Sequence, residues 1–456
     1  MNKKKVLIAN RGEIAVRIIK ACNALDIATV LAVSEADQDS MGARLADEVV
    51  CIGPWQASSS YLNIPAIIKA TQASGAVAIH PGYGFLAENV NLAKACEESG
   101  IIFIGPRAET MRQLGDKISA RRLAKQSGVP MAEGSQGLHS VKDVEAQARE
   151  IGFPMLLKAA AGGGGRGMRI ISQAEELKNA FNEASNEALQ AFGDGTLFAE
   201  RYVRNARHVE VQILGDNFGN VIHLGLRDCS AQRRYQKVIE EAPSPGLADA
   251  LKNSILEAAV SLARRVAYNN AGTVEFLVDK DRDQFYFNEV NTRIQVEHPV
   301  SEEITGVDIV REQLKIAFGD PLSLNQSDVQ SRGHAIECRI TAEDAMDDFM
   351  PCPGQLSRFV LPAGDHVRVD THCYEGYTIS PFYDSLMAKL ITWGDTRELA
   401  LENMSKALSA FEISGVKTNI PFLHFLINHP DLIQGNINVK WIENKALPDL
   451  LKDNLN

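Results

Sequence analysis

Glu289, Asn291, Arg293, Gln295 and Glu297 recur at every second position of one stretch, with Val290, Ile294 and Val296 among the residues between them. In an extended chain this spacing puts the five polar groups on one face. That face would carry two carboxylates, two amides and a guanidinium. The apolar run Phe285 to Phe287 leads into it. A second run, Gly272 to Val278, precedes it across the short polar turn 279–283 and carries Glu275. A hairpin would therefore bring Glu275 close to Glu289. Paired acids with an asparagine suit a hard divalent cation, and Mg²⁺ is commonly held by one or two carboxylates plus substrate phosphates. The plain alternative is an edge strand with a solvated polar face.

The remaining chemistry-bearing residues lie upstream. Pro154 to Ala161 reads as a strand with Lys158 near its end, followed by Gly162-Gly163-Gly164-Gly165-Arg166-Gly167. Consecutive glycines let backbone N–H groups approach a phosphate closely. No Gly-Lys-Ser/Thr ends the run, so it is not a P-loop. Lys117 opens a helical stretch reaching about Gln126. Glu200 and Arg201 follow an apolar run, and His208 precedes the strand Val209 to Leu214. The basic segment Arg227 to Lys237 could be a solvated face, yet Lys237 falls in a polar segment before a Pro-terminated loop, where substrate groups often sit. Two lysines and a glycine loop for phosphates, acids with asparagine for metal, and Arg293 with Glu297 beyond them make a nucleoside triphosphate site beside a small-anion site. Phosphoryl transfer needs positioning and charge neutralisation more than covalent help, and Glu297 near Arg293 and Lys237 would be a general base. Glu337 and Arg339 share a strand face and read as a buried ion pair.

The elements that must position these groups follow from periodicity. Strands at Val6 to Ala9, Ala28 to Val33, Ala76 to Ile79 and Ile101 to Ile104 alternate with helical segments. This implies a parallel sheet with right-handed crossovers, with its turns gathered beyond the strand C-terminal ends. Asn10-Arg11-Gly12 is no GxGxxG loop, which weighs against a nicotinamide site. Helices are predicted over 255–266, 304–318 and 400–408. From Gly333 on, short strands and Gly/Pro turns open a third region. The 456 residues allow two to four domains. A net charge of −11, from 47 basic and 58 acidic residues, argues against a nucleic-acid or membrane-surface protein. Seven scattered cysteines without a CxxC pair read as reduced cytosolic thiols. No signal peptide or membrane span is read.

The chain closely resembles the biotin carboxylase family of the ATP-grasp superfamily. The resemblance rests on Ile8 to Ala15, Ala78 to Phe85, Met155 to Met168 and Glu289 to Pro299, in the family's order over essentially the whole sequence. It implies an α/β fold, α+β in its ATP-grasp part. A preATP-grasp, Rossmann-like domain would span 1–114, and an ATP-grasp domain 115–330 with a mobile lid at about 131–204. A biotin carboxylase C-terminal domain would span 331–447. It implies bicarbonate activation with ATP and Mg²⁺ (or Mn²⁺) to carboxyphosphate, then carboxylation of N1′ of biotin on a separate carrier protein. Carried over by motif, Lys117, Lys158, Gly164, Gly165 and His208 would meet or close over ATP phosphates. Glu200, Arg201 and Val203 would meet adenine, with Gln232 nearby. Glu275, Glu289 and Asn291 match the metal ligands. Lys237, Arg293, Gln295 and Val296 match the bicarbonate site, and Glu297 its base. Arg339 matches the residue that stabilises the biotin enolate, and Tyr83 would lie near biotin.

The implied partners are a biotin carboxyl carrier protein and a carboxyltransferase subunit, in a cytoplasmic homodimer. Acetyl-CoA is the default acceptor, with propionyl-CoA, pyruvate or a urea-like acceptor as alternatives. Met387-Ala388-Lys389-Leu390 only echoes the carrier's Ala-Met-Lys-Met and lies in an apolar run. Two positions depart from the family pattern: Leu226 stands in place of an acid, and Tyr235 in place of a histidine that contacts the nucleotide. Their nearness in sequence suggests a compensated pair. The rival readings are an ATP-grasp ligase passing an acyl phosphate to an amine, and a nucleotide-binding regulatory subunit without catalysis.

Overall fold

The computed structural model describes residues 4–135, 137–160 and 168–453. The glycine run, with Gly164 and Gly165, lies outside the described residues.

The first sheet is fully parallel, in the order Glu48–Gly53, Ala28–Ser34, Lys5–Ile8, Ala78–His80, Ile102–Phe103. Sequence periodicity misses Glu48–Gly53, whose side chains are mostly exposed at the sheet edge. Strand order reverses between Lys5–Ile8 and Ala78–His80, where crevices open in such sheets. Here Asn10 stitches the two flanking turns, its Nδ2 donating to Pro81 O at 2.6 Å and Tyr83 O at 2.7 Å. Gly82, at φ +62°, is the residue this closeness requires: a Cβ would come within 2.9 Å of Asn10 Nδ2.

The second sheet is antiparallel throughout and eight-stranded. Its order is Gln284–Asn291, Asn270–Asp279, Ala206–Gly215, Val221–Arg233, Gln236–Ala242, His334–Thr341, Leu386–Gly394, Val367–Thr371. Strands from the third region thus continue the sheet begun by the second. Alternation along Ala206–Gly215 explains its two faces. Val209, Val211 and Ile213 pack with Ile255 and Ala259 of helix Asp249–Arg265, while His208, Glu210 and Gln212 face the other way.

A smaller unit has its own core. Strands Arg169–Ile171, Met155–Ala159 and Leu197–Arg201 pair antiparallel beneath helices Val141–Ile151 and Leu177–Phe192. Val144, Met155, Leu157, Phe181 and Leu197 fill the space between them.

Several local expectations are corrected. The polar stripe is strand only to Asn291; residues 292–297 are irregular and Glu297 precedes helix His298–Thr305. The helix expected over 304–318 breaks at Gly306 (φ +70°) and resumes as Ile309–Ala317, capped by Asp308. Lys237 is on a strand: Arg234 and Tyr235, at φ 48° and 65°, form a two-residue hairpin turn between Val221–Arg233 and Gln236–Ala242. No helix among the described residues is long and apolar enough to cross a membrane.

Candidate active site

The hairpin of Asn270–Asp279 with Gln284–Asn291 sets Glu275 directly opposite Glu289, as the sequence predicts. A bulge at this point inserts Asn288 as an extra residue, and bulges re-aim side chains. Asn288 and Asn291 both donate to Glu275, at 3.2 and 2.8 Å. Across the next ladder Glu275 pairs with Glu210, so the acidic face widens.

Lys237 reaches into this face from the neighbouring hairpin. Its Nζ lies 2.6 Å from Glu210, 3.1 Å from Glu275 and 2.5 Å from Glu297. Burial alone would pull this ammonium down, but the three carboxylates hold it well above its usual range. Burial would likewise raise the carboxyls; Lys237 and Arg227 instead hold Glu210 well below the usual range. Lys237 and His208 do the same for Glu275. Glu297 also stays below its ordinary value, since Lys237 and Arg339 outweigh burial and the neighbouring Glu210. Its second oxygen accepts from Arg339 at 3.0 Å. His208 stands 3.2 Å from Glu275; burial opposes its charge, yet the acids raise it to about 9. Arg227, with no exposed surface, underpins the cluster through Glu210 at 2.5 Å, Gln212 at 2.7 Å and Thr273 at 3.0 Å.

Arg293 is arranged differently from expectation. It pairs with Glu88 of the first region at 2.9 Å and donates to Asn291 at 3.1 Å, while Glu297 takes Lys237 and Arg339. The Glu337–Arg339 pair does not form. Arg339 turns to Glu240 at 2.6 Å and to Glu297. Both Glu337 oxygens are without a hydrogen-bond partner among the described residues. Burial, with nearby Glu240, lifts the Glu337 carboxyl well above its usual range against the pull of Lys389. Glu240 rises to about 7 for the same reason, burial outweighing Arg339.

Toward the small unit, Lys158 forms a close ion pair with Glu200, which also binds Arg121 at 2.8 Å. Lys158 reaches Asn288 at 3.4 Å, and Lys117 meets Glu289 at 3.4 Å. Gln232 Nε2 bonds His208 Nδ1 at 3.0 Å. Val203 packs with Ala206 and Tyr286. The Arg201 guanidinium is taken by the Tyr286 hydroxyl at 2.7 Å. Tyr83, Gln295 and Val296 line the same cavity as Lys117, Lys158, Glu200, Arg201, Val203, His208 and Gln232, as do Lys237, Glu297 and Arg339.

Leu226 and Tyr235 are not a pair. Leu226 is buried in the apolar cluster with Val211 and Ile255. Tyr235 is 41 % exposed at a hairpin tip, with the Lys440 ammonium 4.4 Å from its ring.

Glu210, Arg227, Asn288, Glu240 and Glu88 escape the sequence reading. Glu210 leaves a signal, an acid at period two between His208 and Gln212, alternating with Val209 and Val211. Glu88 leaves none, since only the tertiary fold brings it to Arg293.

A lysine-bridged acidic sheet facing a small three-stranded unit, with cations from both around one cavity, is the arrangement of an ATP-grasp ligase. Comparison with known proteins agrees along the whole chain. Residues 2–111 match "Biotin carboxylase, N-terminal domain", 116–325 "Carbamoyl-phosphate synthase L chain, ATP binding domain", and 337–444 "Biotin carboxylase C-terminal domain". Biotin carboxylase 1 of Bacillus subtilis is 50% identical, over 96% of this chain and 98% of its own. A biotin carboxylase–β-γ-ATP complex from Campylobacter jejuni superposes with a TM-score of 0.94 at 46% identity, covering 96% of this chain and 98% of that one. So does the biotin carboxylase domain dimer of Hydrogenobacter thermophilus 2-oxoglutarate carboxylase, in complex with MgADP, ADP and bicarbonate. Its TM-score is 0.94 at 47% identity, covering 97% and 98%. The chain belongs to the biotin carboxylase family, and is an ATP-dependent ligase of the biotin-carboxylating half-reaction.

Proposed function

We propose that Glu297 takes the proton of bicarbonate while Lys237, Arg293, Gln295 and the Val296 backbone hold the anion. A bicarbonate oxygen then attacks the γ-phosphorus of ATP, and ADP leaves with carboxyphosphate as the other product. The C–O bond of carboxyphosphate then breaks, and the phosphate released takes the N1′ proton of biotin held near Tyr83; Arg339 stabilises the resulting enolate, whose N1′ bonds to the freed CO₂. The observation that supports this most is the continuous run Lys237–Glu297–Arg339, at 2.5 and 3.0 Å, beside the Glu275/Glu289 pair. This supports Glu297 as a base standing between Lys237, on the proposed phosphate side, and Arg339, on the proposed acceptor side.

Lys117, Lys158 and His208 are the proposed phosphate contacts, with Gly164 and Gly165 of the glycine run. Glu200, the Arg201 backbone, Val203 and Gln232 are proposed for the nucleoside. Glu275, Glu289 and Asn291 offer only oxygen ligands on adjacent strands, which fits a hard cation. A Mg²⁺ or Mn²⁺ held there would neutralise triphosphate charge.

The domain division 1–114, 115–330 and 331–447, with a lid at about 131–204, is proposed on the three matched segments and the separate core of the small unit. Biotin would arrive on a separate carrier protein, since Lys389 is buried within a strand and cannot carry it. A homodimer, a carboxyltransferase partner, acetyl-CoA as final acceptor and a cytoplasmic location complete the proposal. Label from ¹⁸O-bicarbonate tests the chemistry. One labelled oxygen should appear in each phosphate released; phosphate without label would mean water attacks ATP and would overturn the scheme.

A further inference from the structure

Lys389 lies on strand Leu386–Gly394 with no exposed surface, and a buried ammonium must be paired. Three stretches far apart in sequence meet at it. Its Nζ donates to Val296 O at 2.9 Å, and lies 3.2 Å from Glu13 Oε1 and 3.8 Å from Asp370. The same Glu13 oxygen accepts a short hydrogen bond from the Tyr83 hydroxyl. Asp370 is itself held by Arg368 at 2.7 Å, and Glu13 is the acid nearest to Lys389. Val296, Lys389, Glu13 and Tyr83 therefore form one unbroken chain.

The irregular stretch 292–297 explains why this matters. Three successive carbonyls in it are held by side chains. Arg293 donates to Ile294 O at 3.3 Å, His298 Nδ1 to Gln295 O at 2.7 Å, and Lys389 to Val296 O. The first two donors belong to the stretch or adjoin it, and Arg293 is itself tied to Glu88. Lys389 alone of these three comes from a distant strand, and it ties the Val296 end of the stretch to the Tyr83 turn, as Glu88 ties its start through Thr292 N and Arg293.

We infer that Lys389, acting through Glu13, is a positioning residue that locks the Val296 carbonyl and the Tyr83 hydroxyl into one fixed relation. It thereby couples the bicarbonate side of the site to the biotin side. The inference rests on the roles proposed above for Val296 and Tyr83.

The test uses the full chain, with free biotin as acceptor and ATP cleavage as readout. KM values for biotin, bicarbonate and ATP are measured for Lys389→Met, Glu13→Gln, Tyr83→Phe and the Lys389→Met/Tyr83→Phe double. Lys389→Met should raise KM for biotin and for bicarbonate by ~10-fold or more, with KM for ATP within about 2-fold of wild type. The double should be no worse toward biotin than the worse single, because both break one chain. Lys389→Arg, which keeps the charge, should recover much of the loss. Glu13→Gln keeps shape and both acceptor contacts but loses charge; it should raise KM for biotin even if Lys389→Met does not fold. Unshifted biotin KM in an active Glu13→Gln, a uniform fall in kcat with every KM unchanged, or an additive double would overturn the inference alone. A wild type whose ATP cleavage ignores biotin would overturn the parent reading and this inference with it.

Discussion

Replacing Glu297 with glutamine removes one charge and almost no volume. The fold should tolerate it, because the cations it leaves are still paired. Lys237 keeps Glu210 at 2.6 Å and Glu275 at 3.1 Å, and Arg339 keeps Glu240 at 2.6 Å. The stability cost should therefore fall below the ~3–5 kcal/mol typical when a buried charge loses its partner, nearer the ~1–3 kcal/mol of one unsatisfied polar group. Nucleotide affinity should hold, since Glu297 is bridged to Lys237 and Arg339 rather than to Lys158 or Lys117. The rate should not. Loss of a positioned base costs ~10²–10⁴-fold, which is ~2.7–5.4 kcal/mol of barrier. Biotin-dependent ATP cleavage, nucleotide titration and thermal unfolding on the same preparation separate these effects. Wild-type turnover in Glu297→Gln would remove Glu297 from the mechanism, and equal losses of affinity and turnover would make it a scaffold residue.

Three further outcomes are expected. Binding of a MgATP analogue should slow hydrogen exchange in the small unit, across 155–160 and 168–171, while helix Asp249–Arg265 stays unchanged; equal protection throughout would mean that the unit does not close. His80 and His372, both lowered to about 3 by burial with help from Arg17 and Arg11 respectively, bind fewer protons folded than unfolded between about pH 3 and 6.5. Each therefore contributes stability that is lost as pH falls through that window, at up to ~1.4 kcal/mol per pH unit, while Glu240, raised by burial to about 7, acts in the opposite sense. His80→Gln should flatten the dependence of unfolding free energy on pH between 5 and 6.5 by about that amount, and an unchanged slope would count against a buried neutral imidazole. Finally, Leu226→Glu should destabilise and Tyr235→His should not rescue it, because one side chain is in the core and the other at a hairpin tip. A mutant cycle should be additive; a large coupling energy would link the two sites after all.

The acids that define the site were legible because a strand writes its faces at period two. Glu275 and Glu289 were matched across a turn short enough to imply a hairpin. The same rule misled beyond Asn291. Glu297 still reaches Lys237, but through an irregular stretch pinned at its carbonyls rather than through an extended strand. Partners of opposite charge were hardest to foresee. Arg339 has Glu337 two residues away on its own strand, yet it pairs with Glu240 of the neighbouring strand and with Glu297. Arg293 likewise draws on Glu88, 205 residues away. Which carboxylate a guanidinium takes depends on inter-strand register and on loops that sequence patterning does not specify. In sequence Met387-Ala388-Lys389-Leu390 only echoes a carrier motif; the burial of Lys389 against Val296 and Glu13 is a property of the assembled sheet.

This protein uses ATP to activate bicarbonate for transfer to biotin. The most direct measurement of this is the rate of ADP formation by the purified chain with MgATP, with bicarbonate and free biotin each present or withheld. The rate should be high only with both, and carboxybiotin should accumulate in step with ADP. Cleavage that runs equally fast without bicarbonate, or that needs another carboxylate or an amine in place of biotin, would contradict it.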